Sequence, residues 1–407
     1  MQLQPRPFGL RLYNSLSREV EEFEPLEDRR VKIYVCGITP YDVGHLGHAL
    51  VYVVFDTLHR WLEHNAYEVT HVQNITDVDD DMIRKSRELS MSIAELTDRN
   101  QSIYLDEMDA LHVLRPDTFP RVSDHIPQII DMVARLIEGG FAYEVDGYVF
   151  FDISCAPNFG ALVGLKGDDL LNFKNDSMPA EPTELKRTPL DFLIWQPCED
   201  EGAAFESPWS LGRPGWHIEC SAMAQETLGA QIDIHGGGKD LRYPHHDSEI
   251  VQSECATGAS PYVRTWMHNG TMTLNGAKMS KSLGNLVKVS ELLAEGFTGN
   301  GIRLALLAHH YREDRDFDRD VLRTWEERAR RLERAAGVTG AKQDNLRVQP
   351  YRNAFQDAMD DDLDTPRAIQ ALTEIAEQLE AGRMDPVTGA GALVELGDVL
   401  GLRLRQD

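Results

Sequence analysis

The sequence has few cysteines and no long apolar run. Five cysteines among 407 residues, an odd number with no secretory signal-peptide pattern at the N-terminus, argue against a disulfide-bonded extracellular fold. No segment approaches the roughly 18 consecutive apolar residues of a membrane-spanning helix. We therefore expect a cytoplasmic, monomeric protein with no membrane partner, whose length suits about two or three domains.

Positive charge is also scarce. Lys and Arg number 41 against 67 Asp and Glu, which gives a formal net charge of −26. Polyanions such as RNA are bound mainly through Lys and Arg, so this balance disfavours a large nucleic-acid footprint. A local basic groove on an acidic surface is still compatible with the composition.

One short segment near the front has the chemistry of a phosphate site. The apolar run 31–36 predicts a strand, a turn-rich segment follows at 37–42, and a helical pattern extends from about 49 to 63. His45-Leu46-Gly47-His48 lies where that helix begins. Backbone N–H groups and the helix dipole favour an anion at such a position, and two histidines can donate to phosphate oxygens.

A second candidate phosphate-binding segment is Lys278-Met279-Ser280-Lys281-Ser282. The flanking pairs Asn275-Gly276 and Gly284-Asn285 predict a flexible loop that presents two lysines and two serines. Either string alone is more often a surface turn or a solvated loop. The two together, in this order, resemble the paired signature motifs of class I aminoacyl-tRNA synthetases.

A third group of residues has the composition of a metal site. Cys36 ends the first predicted strand and Cys220 ends a later motif, while His245 and Glu249 are four residues apart and would share one helix face. Two thiolates, an imidazole and a carboxylate suit a tetrahedral zinc site. Spacing alone leaves the alternative of two core cysteines and a solvated acidic helix open. The other three cysteines, Cys155, Cys198 and Cys255, are expected to be small buried residues.

Seven segments, the first phosphate motif among them, strengthen the resemblance. Together they are similar to the catalytic core of cysteinyl-tRNA synthetase, which is shared by its mycothiol-pathway relative, the cysteine:glucosaminyl-inositol ligase. The segments are Tyr34-Val35-Cys36-Gly37, His45-Leu46-Gly47-His48, Asn74-Ile75-Thr76-Asp77-Val78-Asp79-Asp80, Gly212-Arg213-Pro214-Gly215-Trp216-His217-Ile218-Glu219-Cys220, Asp233-Ile234-His235-Gly236-Gly237-Gly238, Pro244-His245-His246 and Met267-His268-Asn269-Gly270.

The resemblance implies ATP-dependent activation of L-cysteine to cysteinyl-adenylate. Attack of a carboxylate on the α-phosphate needs positioning and charge neutralisation more than acid–base groups. We assign His45 and His48 to the triphosphate, Lys281 to the charge that develops in the transition state, and Lys278 to a supporting role. Mg²⁺ is expected with ATP.

The resemblance also assigns the amino-acid pocket. Gly37, Thr39, Trp216 and Lys281 are predicted to contact substrate, with Trp216 over the small side chain. The family's zinc ligands match Cys36, Cys220, His245 and Glu249, with one Zn²⁺ per chain. Thiolate is a much better zinc ligand than a hydroxyl, so the metal would separate cysteine from serine.

The implied fold is α/β: a Rossmann-like class I aminoacyl-tRNA synthetase catalytic domain with a mostly parallel sheet. We expect its first half at 1–110, an inserted connective segment at 111–210, its second half with the lysine loop at 211–290, and a helical bundle without an anticodon-binding domain at 291–407. The sequence also predicts a strand at 67–74, a hairpin at 142–151, a polar stretch at 166–186, and helices at 301–311, 319–336, 351–359, 365–381 and 391–400.

The acceptor of the cysteine is either tRNA(Cys), through its acceptor end, or a small amino sugar. The absence of an anticodon domain before Asp407 and Ile38 in place of a proline after Gly37 resemble the mycothiol ligase. Other features resemble the synthetase: the presence of Glu249, the lack of that ligase's signature in 172–182, and the residues at 268–270 and 282–285. The sequence therefore favours cysteine–tRNA ligation, with the amino-sugar ligase as the alternative. Intact candidate ligands and phosphate motifs disfavour a non-catalytic paralogue.

Overall fold

A computed structural model describes residues 9–173, 181–279, 284–340 and 348–405 of the chain. The strands in this part are β1 (Arg11–Asn14), β2 (Glu19–Glu22), β3 (Arg30–Ile38), β4 (Glu68–Ile75), β5 (Ala142–Val145), β6 (Tyr148–Phe151), β7 (Phe192–Pro197), β8 (Gly212–Pro214), β9 (Ile232–Gly238), β10 (Val263–Asn269), β11 (Met272–Leu274), β12 (Ala277–Lys278) and β13 (Arg315–Asp316).

The α-helices in the same part of the chain alternate with these strands at first and then follow one another. They are α1 (Leu46–His64), α2 (Asp80–Leu89), α3 (Ile93–Ala110), α4 (Ile126–Glu138), α5 (Asp168–Asn172), α6 (Trp216–Leu228), α7 (Asp247–Thr257), α8 (Val289–Ala294), α9 (Gly299–Leu307), α10 (Arg319–Ala336), α11 (Gln349–Asp360), α12 (Thr365–Glu380) and α13 (Pro386–Val399). Among the described residues, no helix is both long and apolar enough to cross a bilayer.

The central sheet has the order β10-β9-β3-β4, and all three of its pairings are parallel. This confirms the predicted α/β class with a parallel sheet. The strand predicted at 67–74 is β4, displaced by one residue. Since ligands of such sheets bind beyond the carboxyl ends of the strands, the residues that follow β3, β9 and β10 are placed around one site.

A second sheet lies in the region predicted to be inserted. It has the order β5-β6-β7-β8 with antiparallel pairing throughout, and the predicted hairpin is formed by β5 and β6. Its last strand lies beyond residue 210, so the sheet continues into the motif that carries Trp216. The polar stretch 166–186 contains the short helix α5 and a one-turn helix at Thr183–Leu185, while 174–180 lies outside the described residues.

The C-terminal part is helical, as predicted, with some shifted boundaries. Helix α10 has the predicted limits because Asp318 caps it and Gly337 ends it. Helix α13 begins five residues earlier than predicted, at Pro386, because Asp385 caps it and proline suits the first helical turn. Helix α9 ends at Leu307 rather than at 311, since the chain then turns toward β13.

Helix α1 packs against both the parallel sheet and the C-terminal helices. Its apolar face belongs to one continuous core with β3 and with helices α9 to α13. At the polar edge of this core, the buried Arg303 of α9 forms an ion pair with the buried Asp56 of α1. Arg303 also donates to the Leu111 carbonyl at 2.9 Å and to the Leu400 carbonyl. The helix that starts at the first phosphate motif is therefore fixed directly to the C-terminal helices.

Candidate active site

The first phosphate motif forms the N-terminus of α1. His45 is the N-cap residue, and its Nδ1 accepts a hydrogen bond from the Gly47 N–H at 3.1 Å. His48 completes a capping box by accepting from the His45 N–H. The helix thus begins at Leu46, three residues before the predicted limit. Gly47 leaves space for this arrangement, because a Cβ there would lie 2.8 Å from the His45 ring.

The two histidines are arranged as donors. Their rings stack with centroids 3.9 Å apart. Because Nδ1 of each ring accepts a backbone N–H, Nε2 of each ring carries a proton and can donate it in a hydrogen bond. The motif therefore combines two imidazole N–H groups with the positive end of a 19-residue helix.

The second phosphate motif departs from the predicted flexible loop in its first half. Lys278 lies in β12, which pairs with β11 across the turn Asn275–Gly276, so the motif begins on a hairpin. Both turn residues have positive φ, 54° and 75°, as a tight two-residue hairpin requires. Lys278 is exposed, with Nζ 3.0 Å from Asp240 Oδ2. Ser280, Lys281 and Ser282 lie outside the described residues.

Hydrogen bonds to backbone carbonyls bring the two motifs together. The Leu46 N–H, inside the first motif, donates to the Val287 carbonyl at 2.7 Å, just beyond the second. Asn285 Nδ2 donates to the Lys278 carbonyl at 3.1 Å. The start of α1 and both ends of the lysine segment are therefore adjacent in the fold, although they are far apart in sequence.

The four predicted metal ligands also come together. One donor atom from each of Cys36, Cys220, His245 and Glu249 lies within 4.8 Å of the others, and all four residues are buried. Cys36 is in β3, Cys220 in α6 and Glu249 in α7, so three separate elements converge. His245 precedes α7 in the segment Arg242–His246, whose backbone is kinked at the extended Tyr243, and its Nε2 lies 3.2 Å from Glu249 Oε1.

The spacing of these donors fits zinc. A tetrahedral ion with Zn–S bonds of about 2.3 Å separates two thiolates by about 3.8 Å, and the Cys36 and Cys220 sulfurs are 3.9 Å apart. Burial, followed by the neighbouring Cys220, raises the pKa of Cys36, and burial also raises the pKa of Glu249 and lowers that of His245. Burial thus favours the neutral forms, and a cation at the centre would favour the anionic forms of the thiols and the carboxyl.

Sequence reasoning assigned no role to a second group of buried histidines. His235 of β9 and His246, which immediately follows His245, form another possible four-ligand set with Cys36 and Glu249. The His246 Nε2 lies 3.3 Å from the Cys36 sulfur, and the His235 Nε2 lies 2.9 Å from Glu249 Oε2. Burial lowers the pKa of His235 to about 3, so it is neutral. One feature could have indicated a role for His235. It lies in a strand of the parallel sheet, and ligands bind beyond the carboxyl ends of such strands.

Two further histidines extend this cluster outward. His217 and His245 face each other through their Nδ1 atoms at 3.0 Å. His246 Nδ1 is 2.8 Å from His268 Nε2, and the other nitrogen of His268 is 2.8 Å from the Ser15 hydroxyl. The Nδ1 atoms of His245 and His246 therefore both have a hydrogen-bonding partner. Such partners fix the orientation of an imidazole ring, as they do for metal-bound histidines.

Three of the predicted pocket residues, Gly37, Thr39 and Trp216, lie in the described part of the chain. Trp216 is half-buried at the start of α6, and its ring stacks on the His245 ring at 4.2 Å. Gly37 lies against the backbone of β4, because a Cβ there would lie 1.6 Å from the Asn74 carbonyl oxygen. Thr39 is half-buried in the turn that follows β3.

The other three cysteines do not behave alike. Cys198 is buried, as expected. Cys255 is only partly buried and Cys155 is exposed, so the expectation was wrong for Cys155. That residue lies in a one-turn helix at the surface of the insert, where no apolar layer covers it.

Comparison with known proteins agrees with the site. The family described as tRNA synthetases class I (C) catalytic domain matches residues 22–327, and the DALR domain family matches 354–405. The chain is 45% identical over 400 residues to the cysteine–tRNA ligase of Alkalilimnicola ehrlichii, covering 97% of this chain and 85% of that protein. It is 41% identical over 405 residues to that of Dehalococcoides mccartyi, covering 97% and 86% respectively.

Solved structures share the fold at much lower identity. A Mycobacterium tuberculosis methionyl-tRNA synthetase in complex with methionyl-adenylate superposes with a TM-score of 0.64 at 17% identity, covering 91% of this chain and 89% of that one. LeuRS of Agrobacterium radiobacter K84, from its ternary complex with tRNA and LeuAMS, gives 0.66 at 13% identity, covering 93% and 84%. Because the catalytic-domain family matches most of the chain and the two relatives are 41% and 45% identical over 97% of it, the chain belongs to the cysteine–tRNA ligase family of class I aminoacyl-tRNA synthetases.

Proposed function

We propose that this chain activates L-cysteine with ATP, forming cysteinyl-adenylate and pyrophosphate, and transfers the cysteine to tRNA(Cys). The observation that carries the proposal is the buried set Cys36, Cys220, His245 and Glu249, in which Cys36 lies near the carboxyl end of β3 in the parallel sheet. The names of the relatives, cysteine–tRNA ligases at 40–45% identity over nearly the whole chain, support it.

ATP is positioned between the two motifs. The Nε2–H groups of His45 and His48 donate to phosphate oxygens, and the N-terminus of α1 adds its partial positive charge. Lys281 neutralises the charge that develops at the α-phosphate, and Lys278 has a supporting role. Mg²⁺ accompanies the nucleotide. This chemistry depends on positioning rather than on a side-chain acid or base.

Selection of cysteine resides at the buried cluster. Cys36, Cys220, His245 and Glu249 would hold Zn²⁺, which when bound supplies a soft Lewis acid for the substrate sulfur. Trp216, stacked on His245, forms the wall beside the substrate side chain and limits its size. His217 holds the outer nitrogen of His245 and thereby orients that ring.

The metal assignment is tested by metal content together with cysteine-dependent ATP–pyrophosphate exchange. The purified protein should contain about one zinc per chain. Cys220→Ser should lose the metal and the exchange activity together, because it removes one of two thiolates. The matched control is Cys198→Ser, a buried cysteine outside the cluster, which should retain both. Exchange by a zinc-free preparation of the unaltered protein would overturn the assignment.

The two overlapping ligand sets are separated by a pair of histidine variants. The set with two thiolates suits zinc better, because soft ligands bind it more tightly. His245→Ala should therefore abolish zinc binding, whereas His246→Ala should leave the metal bound. Loss of zinc in His246→Ala, with retention in His245→Ala, would assign the ion to the set that contains His235 and His246.

The acceptor is tested by transfer. Labelled cysteine should become esterified to tRNA(Cys), and the reaction should require ATP and Mg²⁺. Exchange activity without charging of tRNA(Cys) would separate the activation half of the proposal from the transfer half and overturn the latter.

A further inference from the structure

The hairpin that carries Lys278 is small. Strands β11 and β12 share only two residue pairs, Thr273 with Lys278 and Leu274 with Ala277. A two-stranded hairpin of this length has little stability of its own in water. The placement of Lys278 must therefore depend on contacts outside the hairpin.

Lys278 itself contacts Asn285 and Asp240, and the rest of the hairpin is held by β13, in the segment between α9 and α10. Arg315 and Asp316 pair in parallel with Met272 and Thr273. The Arg315 N–H donates to the Thr271 carbonyl at 3.0 Å, and the Phe317 N–H donates to the Thr273 carbonyl at 2.8 Å. The hairpin is thus the outer part of a three-stranded sheet whose far strand continues into the C-terminal helices.

The carboxylate of Asp316 adds a second attachment. Its Oδ1 accepts from the Thr273 hydroxyl at 2.7 Å and from the Gly276 N–H of the turn at 3.0 Å. The Gly276 N–H first, and then the Thr273 hydroxyl, lower the pKa of Asp316, so the group is ionised at neutral pH. Hydrogen bonds to an ionised acceptor are stronger than neutral ones, and these two connect one strand of the hairpin to its turn.

The register places this attachment next to the lysine. Asp316 pairs with Thr273, and Thr273 pairs with Lys278, so the three residues form one row across the sheet. Directly paired residues lie on the same face of a sheet. A carboxylate would repel a triphosphate, so contact with ATP is not its role. On the basis of the proposed function, we propose that Asp316 is a positioning residue that holds the β11–β12 hairpin, and with it Lys278, in register for ATP activation.

The test compares Asp316→Ala with Asp316→Asn in the full chain. Asp316 is exposed, so neither change should alter the melting temperature by more than about 2 °C. Asp316→Ala should lower kcat for cysteine-dependent ATP–pyrophosphate exchange about tenfold or more, with an unchanged KM for cysteine. Asp316→Asn should retain most of the rate, because an amide oxygen can accept both hydrogen bonds. Thr273→Val, which removes one of the two donors, should give an intermediate rate.

The matched control is Asp320→Ala, which makes the same charge change at an exposed aspartate in the first turn of α10 and should leave the rate unchanged. A wild-type rate in Asp316→Ala would overturn the proposal, as would equal impairment of the Ala and Asn variants or of the control. These outcomes differ from failure of the proposed function itself, in which the unaltered protein would show no cysteine-dependent exchange and both proposals would fall.

Discussion

Replacement of Arg303 by methionine should destabilise the connection between the catalytic domain and the C-terminal helices. Arg303 is fully buried in α9 and pairs with Asp56 of α1, which is 1% exposed. Burial alone would raise the pKa of Asp56, but Arg303 and Arg60 outweigh it and hold the pKa below its ordinary value. The carboxylate is therefore ionised in the folded protein and depends on its partners.

The magnitude follows from what remains after the change. Removing one member of a buried ion pair costs about 3–5 kcal/mol, because the other charge is left in a poorly solvated site. Asp56 keeps Arg60 at 3.0 Å and the Leu114 N–H at 2.7 Å, which favours the lower end of that range. The Leu111 and Leu400 carbonyls lose a donor, at a cost of about 1 kcal/mol each. We expect a total of about 5 kcal/mol.

Hydrogen exchange of α1 and α9, combined with urea denaturation, measures this loss where it occurs. The double variant Asp56→Asn/Arg303→Met should be more stable than the sum of the two single changes by about 2 kcal/mol, because no uncompensated charge remains. Zinc content should be unchanged at low temperature, since neither residue belongs to the metal cluster.

Two results would refute this reasoning. A loss below about 1 kcal/mol in Arg303→Met would mean that the carboxylate is adequately solvated or neutralised without Arg303. Strict additivity in the double variant would mean that the two side chains do not depend on each other. Either result would show that the Arg303–Asp56 ion pair does not hold α1 against the C-terminal helices.

Three further predictions concern the reaction and the pH dependence of stability. Lys281→Ala should lower the rate of adenylate formation about 10²-fold with little change in the KM for cysteine, and an unchanged rate with weakened cysteine binding would contradict its role. Serine should support ATP–pyrophosphate exchange several powers of ten less well than cysteine, because its hydroxyl is a poor zinc ligand; comparable exchange rates would exclude selection by the metal. Burial, followed by His59, lowers the pKa of His71 from 6.5 to about 3, so between these pH values the unfolded chain binds a proton that the folded chain does not, and stability falls as the pH falls. His71→Leu should reduce that slope by up to about 1.4 kcal/mol per pH unit in urea titrations at several pH values, and an unchanged slope would show that His71 is protonated while folded.

The local structure and the chemistry of the motifs could be predicted from the sequence alone. Hydrophobic periodicity and capping residues gave the limits of α10, and the alternation of strand, turn and helix placed His45 and His48 at a helix start. The i, i+4 spacing of His245 and Glu249 gave their shared face. These features depend on neighbours within a few residues, so the order of side chains along the chain is enough to predict them.

Contacts between segments that are distant in sequence became apparent only from the tertiary structure. Spacing alone left open whether Cys36 and Cys220 meet, and only the fold brings these residues of β3 and α6 to a sulfur–sulfur distance of 3.9 Å. The roles of His235 and His246 around Glu249, and the attachment of the lysine hairpin by Asp316, were not predicted. Each arises where parallel strands or separate helices converge, and their side chains are aligned by packing that local sequence does not encode. Local preferences fix the elements, whereas burial of a common core fixes how those elements face one another.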